Sequence, residues 1–109
     1  MNDLELLELA AKAAGLHVKG WVGIRMVFFN PITGSAEEHW NPLTDDGDAL
    51  RLAVALKLEI ERSKYSDKTV YVGAVDSAPW KEEACAEVDI YAATRRAIVL
   101  AAAQIGQSM

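Results

Sequence analysis

The chain predicts an α+β fold: a small three-layer α/β/α sandwich with a mostly antiparallel sheet, in the order α-β-β-α-β-β-β-α. Three observations predict it. Three segments carry apolar residues at helical spacing behind a capping side chain. Several others run at period two and are joined by short, turn-rich connections, which pairs neighbouring strands antiparallel. Two of these strands are apolar on both rows and call for helices over both faces of one sheet. The 109 residues contain no repeat, linker or low-complexity tract, so one domain spans 1–109. A chain of this length buries roughly 65% of its unfolded surface, enough for a core without disulfides.

Residues 3–14 form the first helix. Asn2 or Asp3 caps it, and Glu5 stands three after Asn2 as in a capping box. Leu4, Leu7, Ala11 and Ala14 share the inner face, and Gly15 is the left-handed stop. Residues 18–29 form a single strand with Val22, Ile24, Met26 and Phe28 on one row and a mostly apolar row opposite. Asn30-Pro31-Ile32-Thr33-Gly34 is a turn, after which Ala36–Trp40 returns as an edge strand of a hairpin.

Pro42 ends that strand, and the second helix opens between Thr44 and Asp48, where Asp45, Asp46 and Asp48 suit the positive helix end. Its core stripe is Ala49, Leu50, Leu52, Ala53, Val54 and Leu56, and it stops near Lys57. Leu58-Glu59-Ile60-Glu61 then alternates strictly, a strand pattern. The competing assignment continues the helix to Tyr65, because Leu, Glu, Arg and Lys are good helix formers. Thr69–Val75 is a central strand, rich in β-branched and aromatic residues. Asp76–Pro79 is a turn, and a last strand runs from Glu83 to Val88. Asp89 caps the third helix, Ile90 to Ile105, with Tyr91, Thr94, Ile98, Ala101, Ala102 and Ile105 inward and Gly106 as its end.

Eleven Lys and Arg against sixteen Asp and Glu leave a net charge of −5. That argues against DNA or RNA as a partner, since phosphate binding draws on released counterions. It argues equally against a polybasic membrane anchor. The apolar run from Ala97 to Ala103 is far short of the roughly 20 residues of a membrane helix. Asp3, Glu5 and Glu8 have the wrong sign for the basic start of a signal peptide. A cytoplasmic protein is expected, and the lone Cys85 suits a reducing compartment.

Each chemically suggestive residue has a plainer role. Asp45, Asp46 and Asp48 are too clustered for a helix-loop-helix calcium site, and Leu56 stands where that loop needs a bidentate glutamate. Capping explains them. His17, His39 and Cys85 lack zinc-ligand spacing. The acidic stretch around Cys85, with Glu82, Glu83 and Glu87, raises a thiol's pKa and blunts it as a nucleophile. Gly20 and Gly23 precede a strand rather than a helix, the wrong context for a phosphate loop. No catalytic residue, cofactor or metal is therefore assigned.

Arg95 and Arg96 open the last helix, where basic side chains are slightly unfavourable. A salt bridge to Asp89 or Glu87 is the plainer reason, and an acidic partner or anion the sharper one. Trp21, Trp40 and Trp80 lie near strand ends or turns, as core anchors or as an aromatic contact surface with Phe28 and Phe29. Trp21, Trp40, Trp80, Arg95 and Arg96 make up the candidate interaction surface. Glu37 and Glu38 would guard the edge of the hairpin in a monomer; a weak homodimer through that edge is expected instead.

Two segments, Trp40–Val54 with its Trp-Asn-Pro-Leu-Thr-Asp-Asp-Gly-Asp run and Tyr91–Val99 with its Thr-Arg-Arg continuing to Gly106, resemble a family of small proteins of tailed bacteriophages and prophages, the phage ABA sandwich domain. The Leu-rich helix Asp3–Gly15 fits as well. The resemblance implies a sandwich of helices about a sheet, and a setting in a bacterial cytoplasm that carries a phage or prophage. It supplies no catalytic residues. The expected function is that of a non-enzymatic accessory protein acting on a phage or host protein. The alternative is a small-molecule or nucleotide-binding domain using the crevice between sheet and helices.

Overall fold

The computed structural model describes residues 2–22, 25–30, 35–64, 68–74, 82–85 and 89–109. The elements are α1 (Asp3–Ala13), β1 (His17–Val22), β2 (Arg25–Asn30), β3 (Ser35–Trp40), α2 (Asp46–Ala55), β4 (Leu58–Arg62), β5 (Thr69–Ala74), β6 (Glu82–Cys85) and α3 (Ile90–Gln107). The chain is α+β, and every described strand pairing is antiparallel.

The order differs from expectation by one strand. Residues 18–29 do not run straight. β1 and β2 pair antiparallel, with Val22 opposite Arg25. Apolar residues on both rows suit a hairpin that pairs with itself as well as they suit one long strand, and twelve residues is long for a strand. The single sheet covered on both faces is also replaced. Two three-stranded sheets are present among the described residues, β1-β2-β3 and β4-β5-β6. The described packing centres on α3. This helix packs against α1, against α2 and against all three strands of the second sheet, while the first sheet meets the helices through β1 on α1 and through Trp40 of β3 in the core.

Local signals set most boundaries. Asn2 Oδ1 accepts the Glu5 amide at 2.9 Å, Asp45 Oδ2 the Asp48 amide at 2.8 Å, and Asp89 Oδ1 the Tyr91 amide at 2.9 Å. Each cap satisfies amide groups that the first helical turn leaves open. Gly15 takes φ +75° and ends α1 as expected. The strand at 58–61 is present as β4, with Ile60 opposite Val72, and the helix to Tyr65 is not formed. α2 stops because Lys57 takes φ +54°, a left-handed conformation that costs a side chain about 1–2 kcal/mol. Lys57→Gly is therefore expected to raise stability by about 0.5–1 kcal/mol, after the extra freedom of glycine in the unfolded chain is subtracted. Urea unfolding checks this, and a lowered midpoint would contradict the strain.

The core joins Leu6, Leu7, Ala10 and Ala11 of α1, Ala49, Leu52 and Ala53 of α2, Val70 and Val72 of β5, and one side of α3 after another. Three expected stripes are corrected. Leu4 of α1, Leu50 and Val54 of α2 and Tyr91 of α3 are exposed, not inward. In α1 the buried face is Leu6, Leu7, Ala10 and Ala11 instead. Gly106 does not end α3, which continues to Gln107 with Gly106 buried against α1. A Cβ on Gly106 would overlap the Leu9 carbonyl oxygen and lie 2.8 Å from the Leu9 carbonyl carbon. The two helices run parallel. Arg96 meets Asp3, Gly106 meets Leu9, and Lys12 Nζ donates to the Met109 carbonyl at 3.4 Å.

The turns at residues 31–34 and 76–79, and residues 86–88 of the last expected strand, lie outside the described residues.

Candidate functional site

The acidic run 45–48 acts as the loop's fastening. Asp45 caps α2. Asp48 is buried, and its carboxylate accepts the Asn41 amide at 2.9 Å and an Arg51 guanidinium nitrogen at 2.8 Å. A buried carboxylate held by an amide and a guanidinium is compensated on both oxygens. Asp46 is bound from another element altogether.

Arg95 projects from α3 onto the start of α2. Its Nε donates to the Leu43 carbonyl at 2.9 Å and its Nη1 to Asp46 Oδ1 at 2.6 Å, with only 17% of the side chain exposed. Of the two expected partners, Asp89 is not the one it uses. Asp89 is occupied by the amides of Tyr91 and Ala92, and Glu87 lies outside the described residues. Arg95 thus pins α2 to α3. Arg96 is half-exposed and meets Asp3 of α1 at 3.3 Å, a surface pair of little energetic weight.

The tryptophans separate. Trp40 is 7% exposed and belongs to the core, so it cannot anchor a partner at the surface, and the expected homodimer loses its central side chain. Trp21 lies in β1 opposite Met26, which in turn stands opposite Trp40. Trp80 lies outside the described residues. Phe28 and Phe29 fall in β2, the central strand of the first sheet, and β3 is at its edge as expected. His17 and His39 stand in β1 and β3, and Cys85 closes β6.

The exposed apolar residues lead elsewhere. A groove of about 350 Å³ opens where α2, β4 and the first two turns of α3 meet. Leu50, Ile60 and Tyr91 line it and are 61%, 42% and 70% exposed, with Ala49, Ile90 and Ile98 deeper in its wall. Asp46, Arg62, Thr94 and Arg95 supply its polar margin. Most of that margin is already engaged: Asp46 by Arg95, and the Thr94 hydroxyl by the Ile90 carbonyl at 2.8 Å. What the groove offers a ligand is therefore chiefly apolar surface.

Sequence reasoning passed over Leu50, Ile60, Arg62 and Tyr91 as site residues. A signal for the first existed. Leu50 and Val54 are four apart, on a second apolar strip beside Ala49, Leu52, Ala53 and Leu56, and one helix face is too narrow to bury both strips. Among the described residues, no helix is long and apolar enough to cross a membrane. Comparison of the chain with protein-family models, curated proteins and solved structures finds no match.

Proposed function

We propose that this chain is a non-enzymatic binding protein that docks another protein in the groove between α2, β4 and α3. The observation that carries the reading is the cluster of Leu50, Ile60 and Tyr91, three large apolar side chains held open to solvent side by side. Contiguous exposed apolar surface with a polar margin is what protein contact sites present. Tyr91 is the anchor, since an aromatic ring buries a large area at small entropic cost. The setting we propose is that of a phage or prophage accessory protein in the bacterial cytoplasm. In support, the segments 40–54 and 91–106 that carry the resemblance form the two helical walls of this groove, tied by Arg95 to Leu43 and Asp46.

The second reading, a small-molecule site, is favoured by the volume, which falls inside the range of ligand pockets. One experiment separates the two. Tagged wild-type protein and a Leu50→Asp/Tyr91→Ser variant are used to capture proteins from induced or infected host cells. Both positions are exposed, so the variant should melt within about 0.5 kcal/mol of wild type. A protein partner captured by the wild type and lost with the variant is expected. Equal capture by both would remove the groove from the function. A metabolite retained by the wild type alone, read by mass spectrometry, would install the second reading.

A further inference from the structure

We infer that the partner segment docked in the groove carries a carboxylate among apolar side chains, and that Arg95 in the groove wall is the residue that selects it. The inference rests on the groove reading above and adds the chemistry of what enters.

The bonds of Arg95 leave part of its guanidinium uncommitted. A guanidinium carries five N–H donors. Nε gives one to the Leu43 carbonyl and Nη1 gives one to Asp46 Oδ1. The second N–H of Nη1 and both of Nη2 have no acceptor among the described residues. These donors belong to a side chain that lines the groove and is 17% exposed. The other polar groups of the margin are differently placed. Asp46 stands at the rim with 73% of its side chain exposed, the Thr94 hydroxyl is held by the Ile90 carbonyl, and Arg62 has a partner of its own.

Arg95 sits among the apolar residues of the groove. Tyr91, Arg95 and Ile98 follow one another at spacings of four and three along α3, which puts them in one stripe of the helix. On α2, Leu50 stands one turn beyond Asp46, the carboxylate that Arg95 holds. A segment lying across Leu50 and Tyr91 therefore passes over Arg95 as well.

Such a segment removes water from the guanidinium. Donors left without an acceptor in a dry contact cost free energy, most of all when they carry charge. A wholly apolar segment leaves them so, and a lysine or arginine adds a like charge. A carboxylate supplies two acceptor oxygens in the geometry of the guanidinium fork and brings the opposite charge. The openness of the groove points to a protein segment rather than a free acid. Ligand pockets enclose most of a small molecule, whereas Leu50 and Tyr91 are 61% and 70% exposed. Asp46 opposes the arriving carboxylate by its charge and so weakens the contact without abolishing it.

The test uses the full chain, the capped peptide Ser-Ala-Leu-Glu-Leu-Ala-Ser and its counterpart with glutamine in place of glutamate. Binding is followed by NMR at the backbone amides and at the Arg95 Nε–H. The glutamate peptide should shift Leu50, Ile60, Tyr91 and the Arg95 Nε–H, and the glutamine peptide should bind about tenfold more weakly. Arg95→Gln should erase that difference. Asp46→Asn keeps an oxygen for Nη1 and removes the opposing charge, so it should tighten the glutamate peptide about threefold and leave the glutamine peptide unchanged. A role of Arg95 confined to holding α2 on α3 predicts no such gain, and this variant decides the matter if Arg95→Gln fails to fold. Equal binding of the two peptides in the groove would overturn the inference and leave the groove reading standing. No gain with Asp46→Asn, shifts confined to another surface, or binding of neither peptide would also overturn it. Isovalerate, a free acid with an apolar body, should bind more weakly than the glutamate peptide; tighter binding would overturn the protein segment as occupant. Equal capture from host cells by wild type and Leu50→Asp/Tyr91→Ser is the separate result that removes the groove itself.

Discussion

Replacing Gly106 by alanine is expected to cost about 3 kcal/mol, one of the two largest effects of a single substitution in this chain. The added methyl would enter the space of the Leu9 carbonyl oxygen and come within 2.8 Å of its carbon. Both are backbone atoms, so no rotamer change relieves the overlap. Either α1 or α3 must move. Movement there disturbs the packing of α1 on α3, two helices whose buried positions are mostly small, Ala10 and Ala11 in one and Ala97, Ala101, Ala102 and Ala103 in the other, with little room to readjust. Alanine is worth about 1 kcal/mol over glycine inside a helix, so the overlap must exceed the figure measured by that amount. Urea unfolding with an unchanged m-value is the measurement. A loss below about 1 kcal/mol would mean that the helices separate easily and that the close approach is not a source of stability.

Trp40→Ala is expected to cost about 3–5 kcal/mol and to leave association unchanged. Trp40 closes β3 and is buried in the core, next to the fully buried Pro42 and to Asn41, whose amide donates to Asp48. The side chain thus joins the first sheet to the helical body at the point where the chain enters α2. Its removal leaves a cavity and loosens that junction. Denaturant unfolding reads the cost, and sedimentation at high concentration reads the mass. A stable variant with a reduced sedimentation mass would return Trp40 to the surface and restore the hairpin edge as a dimer contact.

How the elements pack was much less legible than the elements themselves. The three caps, Asn2, Asp45 and Asp89, were readable because a capping side chain acts on an amide two or three residues along. The strand at Leu58 was readable because its alternation outweighed the helix-forming tendency of its residues. The hairpin within 18–29 was not, since the side-chain rows lie on the two faces of the sheet whether the strand runs on or turns back to pair with itself. Gly106 illustrates the limit from another side. Glycine near the end of a helical pattern commonly means a stop, yet here it means close approach, and the difference lies in Leu9, almost the whole chain away.

The candidate site was the least legible part. Its walls come from residues near 46–50, 60–62 and 90–98, and nothing in any one segment marks it. Leu50 and Tyr91 read as core because periodicity shows that a residue is apolar and on a face, without showing whether anything covers that face. Arg95 pairs with Asp46 rather than Asp89 because the helix cap had already claimed the nearer carboxylate. By itself, the sequence determined the α+β class, the antiparallel pairing, the helix starts and the acidic charge, all of which follow from interactions a few residues apart or from composition. The tertiary structure decided which apolar strips are covered, which glycine is a contact, which carboxylate each arginine meets and where a groove is left open. Those depend on the space between elements, and that space is set only when α3 is enclosed by α1, α2 and the second sheet together.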